Sequence, residues 1–268
     1  MSANASWTIH QIPSDIVNAY LVETPSGVVA IDSMLTVSAS QALSEQVDSL
    51  GKPLQAVLLT HTHPDHYGGL AQLVGPDDVP IFALAGVKAA IERDDPVKEQ
   101  ILRPMFGDEW PRERRFPTDV VADGATLEFD GARFTVVDLG PGESPHDSLW
   151  LLDEGEEVFA GDVVYDGAHA YLADGFHAEW LANIERVRAL LRPDATLRIG
   201  HGGPVGLEAL ERQERYIRAF VAAVREADWS QPEQAHAAVV ARMKEVEPSD
   251  ALQFLMELSI EPVAASLT

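Results

Sequence analysis

Short apolar runs and amphipathic stretches alternate along most of the chain. Apolar runs of four to eight residues predict strands, and apolar stripes at three- to four-residue spacing predict helices. The predicted strands cover residues 7–12, 19–24, 28–31, 54–60, 80–84, 118–121, 125–129, 133–137, 148–152, 157–160 and 197–200. The predicted helices cover 37–50, 68–74, 86–92 and 180–191, with three more in a helical tail from residue 207 onward. This alternation predicts an α/β protein built in layers, without a clear linker.

One stretch, residues 94–117, interrupts the pattern. It gathers basic and aromatic residues in an otherwise acidic chain, and prolines stand at positions 96, 104, 111 and 117. Long irregular insertions are often functional, so the stretch is either a lid or wall over a substrate pocket or a helical connector whose aromatic side chains pack onto the body. The pattern favours neither interpretation.

Composition narrows the function classes. The chain has 268 residues, of which 46% are hydrophobic, so it can form one large domain or two small ones. It carries 43 acidic and 19 basic residues, a net charge of -24, which disfavours partners with phosphate backbones or anionic lipid. It contains no cysteine, so disulfides and thiolate metal ligands are excluded, and any metal must be held by nitrogen and oxygen.

The start of the chain, residues 1–7, lacks a basic region followed by an apolar stretch, and no apolar run is long enough to span a bilayer. We therefore expect a cytoplasmic protein whose partner is a small-molecule substrate rather than a nucleic acid or a membrane. The helical tail is expected to pack on the body or on another subunit of a homo-oligomer.

The richest chemistry lies in the run His61-Thr62-His63-Pro64-Asp65-His66, directly after the predicted strand 54–60. Imidazole and carboxylate are ligand types that suit a borderline divalent ion such as zinc. His61 and His63 lie two residues apart, so both can point inward from one extended stretch. Asp65 and His66 follow the bend at Pro64 and can face a second position nearby.

Three further segments carry ligand-type residues where predicted strands end. These are the loop that contains Glu143 and His146, the strand end at Asp162, and the strand end at His201. If the four strand ends lie together, they supply enough nitrogen and oxygen donors for two adjacent divalent ions.

The run HTHPDH, the later AGD that ends at Asp162, and the GHGGP around His201 together resemble the metallo-β-lactamase fold superfamily. The resemblance covers roughly residues 7–205. It implies a four-layer αβ/βα sandwich, in which two facing sheets are flanked by helices and a dinuclear metal site lies at one edge. We expect residues 1–205 to form this metal-hydrolase domain and residues 206–268 to form a helical extension packed on it.

The resemblance also implies a ligand set. His61, His63 and a ligand from the third loop would bind one metal, Asp65, His66 and His201 would bind the other, and Asp162 would bridge both. Asp32, at the end of an early strand, would support the histidine loop from behind. The expected cofactors are two divalent cations, Zn²⁺ first, with Mn²⁺ or iron as alternatives.

The third loop departs from the family pattern. The family often has Pro-Gly-His there, whereas this chain has Pro141-Gly142-Glu143. Anchoring on Pro-Gly favours Glu143 as the ligand, as in branches that resemble alkylsulfatases. In the alternative interpretation the loop is longer and His146 is the ligand. If Glu143 is the ligand, His146 is free to contact substrate.

The implied function is a hydrolase that uses a bridging hydroxide to cleave an ester, thioester, lactone or lactam. Asp65 is the expected catalytic residue, because it would orient the nucleophile and carry a proton to the leaving group. Substrate-binding candidates are His146, His169 and Tyr171. Alternatives on the same scaffold are an iron-dependent oxidoreductase similar to sulfur dioxygenases and a hydrolase similar to alkylsulfatases or phosphodiesterases.

Overall fold

The computed structural model describes residues 7–76 and 78–267, which form eleven strands and eight α-helices. The strands are β1 (Thr8–Pro13), β2 (Asn18–Glu23), β3 (Val28–Ile31), β4 (Leu54–Leu58), β5 (Ile81–Leu84), β6 (Asp119–Val121), β7 (Thr126–Phe129), β8 (Ala132–Gly140), β9 (Asp147–Leu152), β10 (Glu157–Tyr165) and β11 (Thr196–His201). The helices are α1 (Val37–Ser49), α2 (Pro64–Tyr67), α3 (Leu70–Val74), α4 (Ala85–Phe106), α5 (His177–Leu190), α6 (Glu208–Glu226), α7 (Pro232–Val246) and α8 (Gln253–Ser266).

The strands form two sheets. The first has six strands in the order β1-β2-β3-β4-β5-β6, antiparallel from β1 to β3 and parallel from β3 to β6. The second has five strands in the order β11-β10-β9-β8-β7, antiparallel except for the parallel pair of β10 and β11. The parallel strands β4 and β11 each end at one of the predicted histidine motifs.

Apolar side chains from both sheets meet in one buried cluster. Tyr20 of the first sheet and Phe159 of the second have ring centroids 5.5 Å apart, and the indole nitrogen of Trp150 donates to the carbonyl oxygen of Leu59 over 2.9 Å. A second cluster joins the other face of the second sheet to α5, α6, α7 and α8. Helices α1, α3 and α4 cover the first sheet. These layers confirm the predicted four-layer αβ/βα sandwich.

Helix α4 is much longer than the predicted helix at 86–92. It runs from Ala85 through Pro96 and Pro104 to Phe106, and ends at Gly107, whose φ is 57°. A proline removes one backbone donor from a helix but does not prevent it from continuing. The predicted end of this helix at residue 92 was therefore wrong, and residues 94–106 are helical, as the helical-connector interpretation of the stretch 94–117 expects.

The segment after α4 returns along the body. Trp110 is fully buried, and the Arg114 guanidinium lies 3.5 Å from the centroid of its ring. Arg114 also pairs with Asp95 of α4 over 3.3 Å, and the Tyr67 hydroxyl donates to the same carboxylate over 3.0 Å. These contacts fasten the middle of α4 to α2, the helix that contains Asp65 and His66.

Strand β10 continues past the predicted end at residue 160. Its pairing with β11 shifts register at Gly161, which has φ of 51°, and resumes where Tyr165 pairs with His201. Asp162 therefore lies inside an irregular strand and not in a loop after it. A bulge of this kind bends a strand and re-aims its side chains.

The C-terminal tail contains the three predicted helices. α6 buries Ile217 and Phe220 against the second sheet, and α8 buries Ile260 and Val263 in the same cluster. The boundary between residues 205 and 206 stays a prediction. Within the described ranges, no helix combines the length and apolar character that a bilayer crossing requires.

Candidate metal centre

The histidine run follows the inner strand β4. Residues 59–63 are buried, bend at Thr62 and lead into α2, which begins at Pro64. Proline suits the first position of a helix because its missing N–H has no helical partner there. The turn brings His61, His63 and His66 to the same edge of the sandwich, where all three side chains are buried.

One group of donor atoms combines residues from three segments. His61, His63, Glu143 and Asp162 each contribute one atom, and these atoms all lie within 4.8 Å of one another. Glu143 Oε2 lies 3.5 Å from His61 Nε2 and 2.9 Å from His63 Nδ1. Two imidazoles and two carboxylates at these distances are a suitable donor set for a divalent cation.

A second group shares one residue with the first. Asp65, His66, Asp162 and His201 also place one donor atom each within 4.8 Å of one another. Asp162 Oδ1 lies 3.3 Å from His66 Nε2, and its Oδ2 lies 2.9 Å from His201 Nε2. The two oxygens of Asp162 therefore face both groups, since Oδ2 also lies 3.8 Å from His61 Nε2.

Hydrogen bonding tests whether these residues fit a cation. Five buried donor atoms contact other donor atoms of the two groups but make no hydrogen bond of acceptable geometry within residues 7–76 and 78–267: His61 Nε2, His66 Nε2, Glu143 Oε2, Asp162 Oδ1 and His201 Nε2. A buried polar atom without a partner costs about 1–3 kcal/mol. Bound metal ions would explain why five such atoms converge, because the ions would complete the coordination of these atoms. The residues present therefore fit divalent cations.

Each histidine of the two groups is held by its other ring nitrogen. His61 Nδ1 lies 3.0 Å from the Thr60 hydroxyl, and His201 Nδ1 lies 2.8 Å from the carbonyl oxygen of Ile16. His63 is turned the other way, with Nδ1 toward the group and Nε2 2.9 Å from Asp174 Oδ2. Such outer contacts fix the tautomer and the ring orientation of a metal-binding imidazole.

Asp32 holds the fourth imidazole. Its Oδ2 lies 2.7 Å from His66 Nδ1 and also accepts from the Thr60 hydroxyl, while its Oδ1 accepts from the Thr60 amide. The contact expected for Asp32 behind the histidine loop is therefore present. Asp32 has φ of 63°, a backbone conformation that is uncommon for residues other than glycine. Such conformations persist only where the surrounding structure over-determines them.

Two glycines make room for the groups. A β-carbon at Gly200 would lie 2.0 Å from Asp162 Oδ1, and one at Gly161 would lie 2.7 Å from the Thr60 hydroxyl oxygen. The AGD and GHG motifs thus need glycine because strands β10 and β11 approach the donor residues too closely for any side chain.

Burial and the neighbouring charges shift the pKa values of the donor residues. Burial raises the pKa of Glu143 to about 7, although His63 beside it acts in the opposite direction. Burial lowers the pKa of His201, but the Asp162 and Asp65 carboxylates outweigh it and bring the pKa to about 10. In the absence of a cation, protons held by His201 and in part by Glu143 therefore offset part of the negative charge of the carboxylates. A divalent cation would displace them, so binding is coupled to proton release.

A cavity of about 170 Å³ opens beside the two groups. Its floor includes His63, Asp65, Asp162 and His201. Its walls are mostly apolar and come from α4, α8 and the segments around Ile16 and Leu35. The donor atoms are thus accessible from a cavity large enough for part of a small molecule.

A sequence profile identifies the protein family of this chain. The sequence profile described as the metallo-beta-lactamase superfamily matches residues 12–202, more than half of the chain. The chain belongs to the metallo-beta-lactamase superfamily. The predicted family is confirmed, and the named hydrolases among its relatives support the prediction of an enzyme.

Among relatives in the metallo-beta-lactamase superfamily is a hydroxyacylglutathione hydrolase of Albidiferax ferrireducens, 28% identical over 59% of this chain. This chain spans about half, 52%, of that relative's length. A metallo-beta-lactamase family protein from Thermus thermophilus has the same fold, with a TM-score of 0.68, 21% identity and coverage of 96% of this chain and 92% of the other. The protein TTHA1623, crystallised in a di-iron-bound form, is 28% identical with a TM-score of 0.59, over 76% of this chain and 97% of the other.

The fold brings together the predicted donor residues of this superfamily member, and it separates the two candidates of the third loop. Glu143 lies in the first group. The His146 ring lies against Gly86, and its Nε2 is 2.8 Å from Asp138 Oδ1, so His146 belongs to neither group. Asp147 explains the difference, because its carboxylate accepts from the amides of Glu143 and Ser144 and forms a tight turn.

The three predicted substrate-binding residues are placed differently. Tyr171 lines the cavity, and its ring packs edge-on against His63 with centroids 5.3 Å apart. His146 is not among the described residues that line the cavity, nor is His169. His169 is fully buried and lies 2.9 Å from the Tyr216 hydroxyl and 3.1 Å from the carbonyl oxygen of Ser249. It therefore joins the loop after β10 to the tail helices.

Two residues of the centre were not assigned to it from the sequence. Asp174 holds His63, and the Tyr165 hydroxyl lies 2.9 Å from Glu143 Oε1 and 3.1 Å from Asp162 Oδ2, so it can donate to either carboxylate. Both stand after Asp162, in the strand end and loop that also carry the predicted substrate-binding residues His169 and Tyr171. Their pairing with His63 and Glu143 depends on the position of β10 beside the histidine loop.

Proposed function

We propose that this protein is a metal-dependent hydrolase that binds two divalent cations and cleaves an ester, thioester, lactone or lactam. The observation that carries the proposal is the convergence of five buried donor atoms that make no hydrogen bond, in two groups that share Asp162. The relatives named hydroxyacylglutathione hydrolases support a thioester or a related acyl compound as the substrate.

In this proposal His61, His63 and Glu143 would hold one cation, His66, His201 and Asp65 would hold the other, and Asp162 would contribute to both. Bound cations would polarise the scissile carbonyl and lower the pKa of water, to about 7 for a single zinc ion. The protein's contribution is rigidity. Each imidazole is held from behind, so the donor atoms need little rearrangement to bind.

Asp65 is the residue we propose for proton transfer. Its Oδ2 lies 3.4 Å from His201 Nε2 and 3.8 Å from His66 Nε2, and its side chain forms part of the cavity floor. Burial raises the pKa of Asp65, but His66 and His201 outweigh it and hold this pKa below its usual range. Because the Asp65 side chain lines the cavity, its carboxylate can accept a proton there and deliver it to a leaving group.

Zinc is the cation we propose first, since imidazole nitrogen and carboxylate oxygen both suit it. Glu143 adds a carboxylate where an imidazole is usual in the family, and carboxylate is a harder donor that also suits manganese. A third-loop carboxylate therefore widens the range of metals that the first group accepts.

A second candidate function is an iron-dependent oxidoreductase on the same scaffold. The observation that favours it is the similarity to TTHA1623, whose crystal structure is in a di-iron-bound form. The additional carboxylate of Glu143 is compatible with iron as well.

One experiment separates the two candidates. The metal content of the purified protein is measured by elemental analysis, and the same sample is assayed with lactones, thioesters, esters, lactams, phosphodiesters and sulfate esters, and for oxygen consumption. Zinc or manganese with acyl hydrolysis supports the proposed function. Iron with oxygen consumption and no hydrolysis supports the oxidoreductase. A protein that binds no metal under any loading condition contradicts both.

The proposed partner is a small molecule bound in the cavity. A net charge of -24 works against nucleic acid or an anionic membrane as a partner. The cytoplasmic location and a homo-oligomeric state stay predictions.

A further inference from the structure

Exposed apolar side chains are concentrated beside the cavity. In the described part of the chain, eight large hydrophobic residues are exposed, and five of them belong to two helices: Val97, Ile101 and Met105 on α4, and Phe254 and Leu258 on α8. Four of these five line the cavity that leads to the metal centre, and Val97 lines an adjoining depression. Scattered exposed apolar residues are ordinary, but a contiguous set at the mouth of a site indicates a binding surface.

The apolar character continues inward from this mouth. Leu102 and Phe106 of α4 and Leu255 of α8 are partly buried and line the same cavity, together with the donor residues. Among the described residues of the lining, Lys98 is the one lysine or arginine. The cavity volume is about 170 Å³. An apolar cavity of about 150 Å³ is enough to bind benzene, so this one has room for roughly six carbon atoms.

The wall formed by α8 is held in place by polar contacts. The amide of Leu172 donates to the Ser259 hydroxyl over 2.8 Å, and the amide of His169 donates to the carbonyl oxygen of Ala251 over 2.9 Å. These bonds tie α8 to the loop that carries Tyr171, which lines the same cavity. The apolar wall is therefore attached to the metal centre rather than a separate surface.

We propose that the substrate carries an uncharged apolar chain or ring system of about six carbons or more. This proposal rests on the hydrolase function proposed above. This group lies between α4 and α8, and the scissile bond lies over Asp65 and Asp162. A charged peptide group such as glutathione would meet apolar side chains and a single lysine in this cavity. The preferred substrate therefore differs from that of the hydroxyacylglutathione hydrolases in the acyl or leaving group that α4 and α8 contact.

Binding of neutral n-alkanols to the metal-loaded protein tests the apolar site without hydrolysis. Calorimetric titration with butanol, hexanol, octanol and decanol is expected to show affinity rising about fourfold for each methylene that enters the cavity. The increments are expected to become smaller beyond about six carbons, where the chain reaches the exposed mouth. No binding, or affinity that is independent of chain length, would overturn the proposal.

Matched variants locate the site. Leu258→Ser is expected to weaken octanol binding roughly threefold to tenfold by removing apolar contact. Leu190→Ser is the control, because Leu190 is also a helical residue with similar exposure, 49% against 55% for Leu258, and does not line the cavity. Both variants are expected to unfold at the wild-type temperature. Equal weakening in both, or none in Leu258→Ser, contradicts the assignment.

Hydrolysis of 4-nitrophenyl esters from acetate to decanoate completes the test. A rise in kcat/KM with chain length that Leu258→Ser flattens and Leu190→Ser preserves supports the proposal. Hydrolysis without chain-length preference and without alkanol binding overturns the apolar substrate while the hydrolase function stands. Alkanol binding with no hydrolysis of any acyl compound leaves the apolar site standing and rejects the hydrolase. A dimer that Leu258→Ser dissociates, without alkanol binding, would assign this face to a second copy of the chain.

Discussion

The metal centre and the apolar wall above it are built in opposite ways. Four of the seven donor residues come from the six positions 61–66, and all seven lie within the superfamily match at 12–202. The wall joins α4 to α8, about 150 residues apart along the chain, and α8 lies outside that match. Directional hydrogen bonds hold the donor residues, whereas non-directional apolar contacts form most of the wall.

This difference predicts how each region responds to change. A substitution in the centre removes a donor atom or turns a ring, so its effects on metal content and rate should be large. A substitution in the wall removes a few contacts, so its effects on affinity should be graded and depend on the substrate.

Asp162→Asn should have the largest effect, because Asp162 faces both groups. We expect the metal content to fall by more than half and hydrolysis to fall by about a thousandfold, since charge stabilisation by a metal contributes several kcal/mol. Elemental analysis and kcat/KM measure the two losses. Asp166→Asn is the control, because Asp166 pairs with Arg212 at the surface and lies outside both groups. Wild-type metal content in Asp162→Asn would refute the shared role.

Glu143→Ala and His146→Ala test the third loop. We expect the bound metal to fall from two ions toward one in Glu143→Ala, because the first group loses a carboxylate. His146→Ala should keep both ions, since its ring lies against Asp138. Elemental analysis measures the bound metal of both variants, and thermal unfolding checks that each variant folds. Metal loss in His146→Ala alone would reverse the assignment.

Asp32→Asn tests whether support from behind the centre matters. We expect metal affinity to fall about 10- to 100-fold, since losing the outer partner of a metal-binding histidine has that effect. Asparagine is chosen because it tolerates the positive φ of this position. Competition with a chelator measures the affinity. Asp130→Asn is the matched control, because Asp130 also has positive φ, 51°, and contacts Ser26 and Thr24 instead. An equal loss in both variants would contradict the specific role of Asp32.

His169→Ala should have the smallest effect on the centre. It removes the hydrogen-bond partner of the buried Tyr216 hydroxyl, which costs about 1–3 kcal/mol, or roughly 2–12 °C in the unfolding midpoint. Metal content should be unchanged. Tyr216→Phe removes the same bond from the other side, so the two losses should not add in the double variant. Normal stability with a large rise in KM would instead restore His169 as a substrate-binding residue.

Much of the centre could be predicted because its residues are local or lie at strand ends. The run from His61 to His66 follows a recognisable strand, and Asp162 and His201 stand in short motifs with glycines that close approach requires. The choice between Glu143 and His146 could not be made with the same security, because it depends on the turn that Asp147 forms. The contact of Asp174 with His63 could not be predicted, because the two residues lie 111 positions apart in the chain.

The apolar wall formed by α4 and α8 could not be predicted from the sequence for a similar reason. Pro96 and Pro104 interrupt the helical sequence pattern, so a continuous α4 could not be predicted from it. The tail helices were expected only to pack on the body or on another subunit. The single stretch 94–117 turned out to combine both interpretations, since α4 lines the cavity while Trp110 and Arg114 pack onto the body.

The sequence by itself determined the superfamily, the layered fold and the donor types, because strand patterning and ligand spacing are local properties of the chain. The tertiary structure alone decided whether Glu143 or His146 of the third loop meets the histidines, which ring nitrogen of each histidine is held, and that α8 faces α4 across the centre. Those features depend on the packing of segments far apart in the chain, and neither periodicity nor spacing records which distant surfaces will meet.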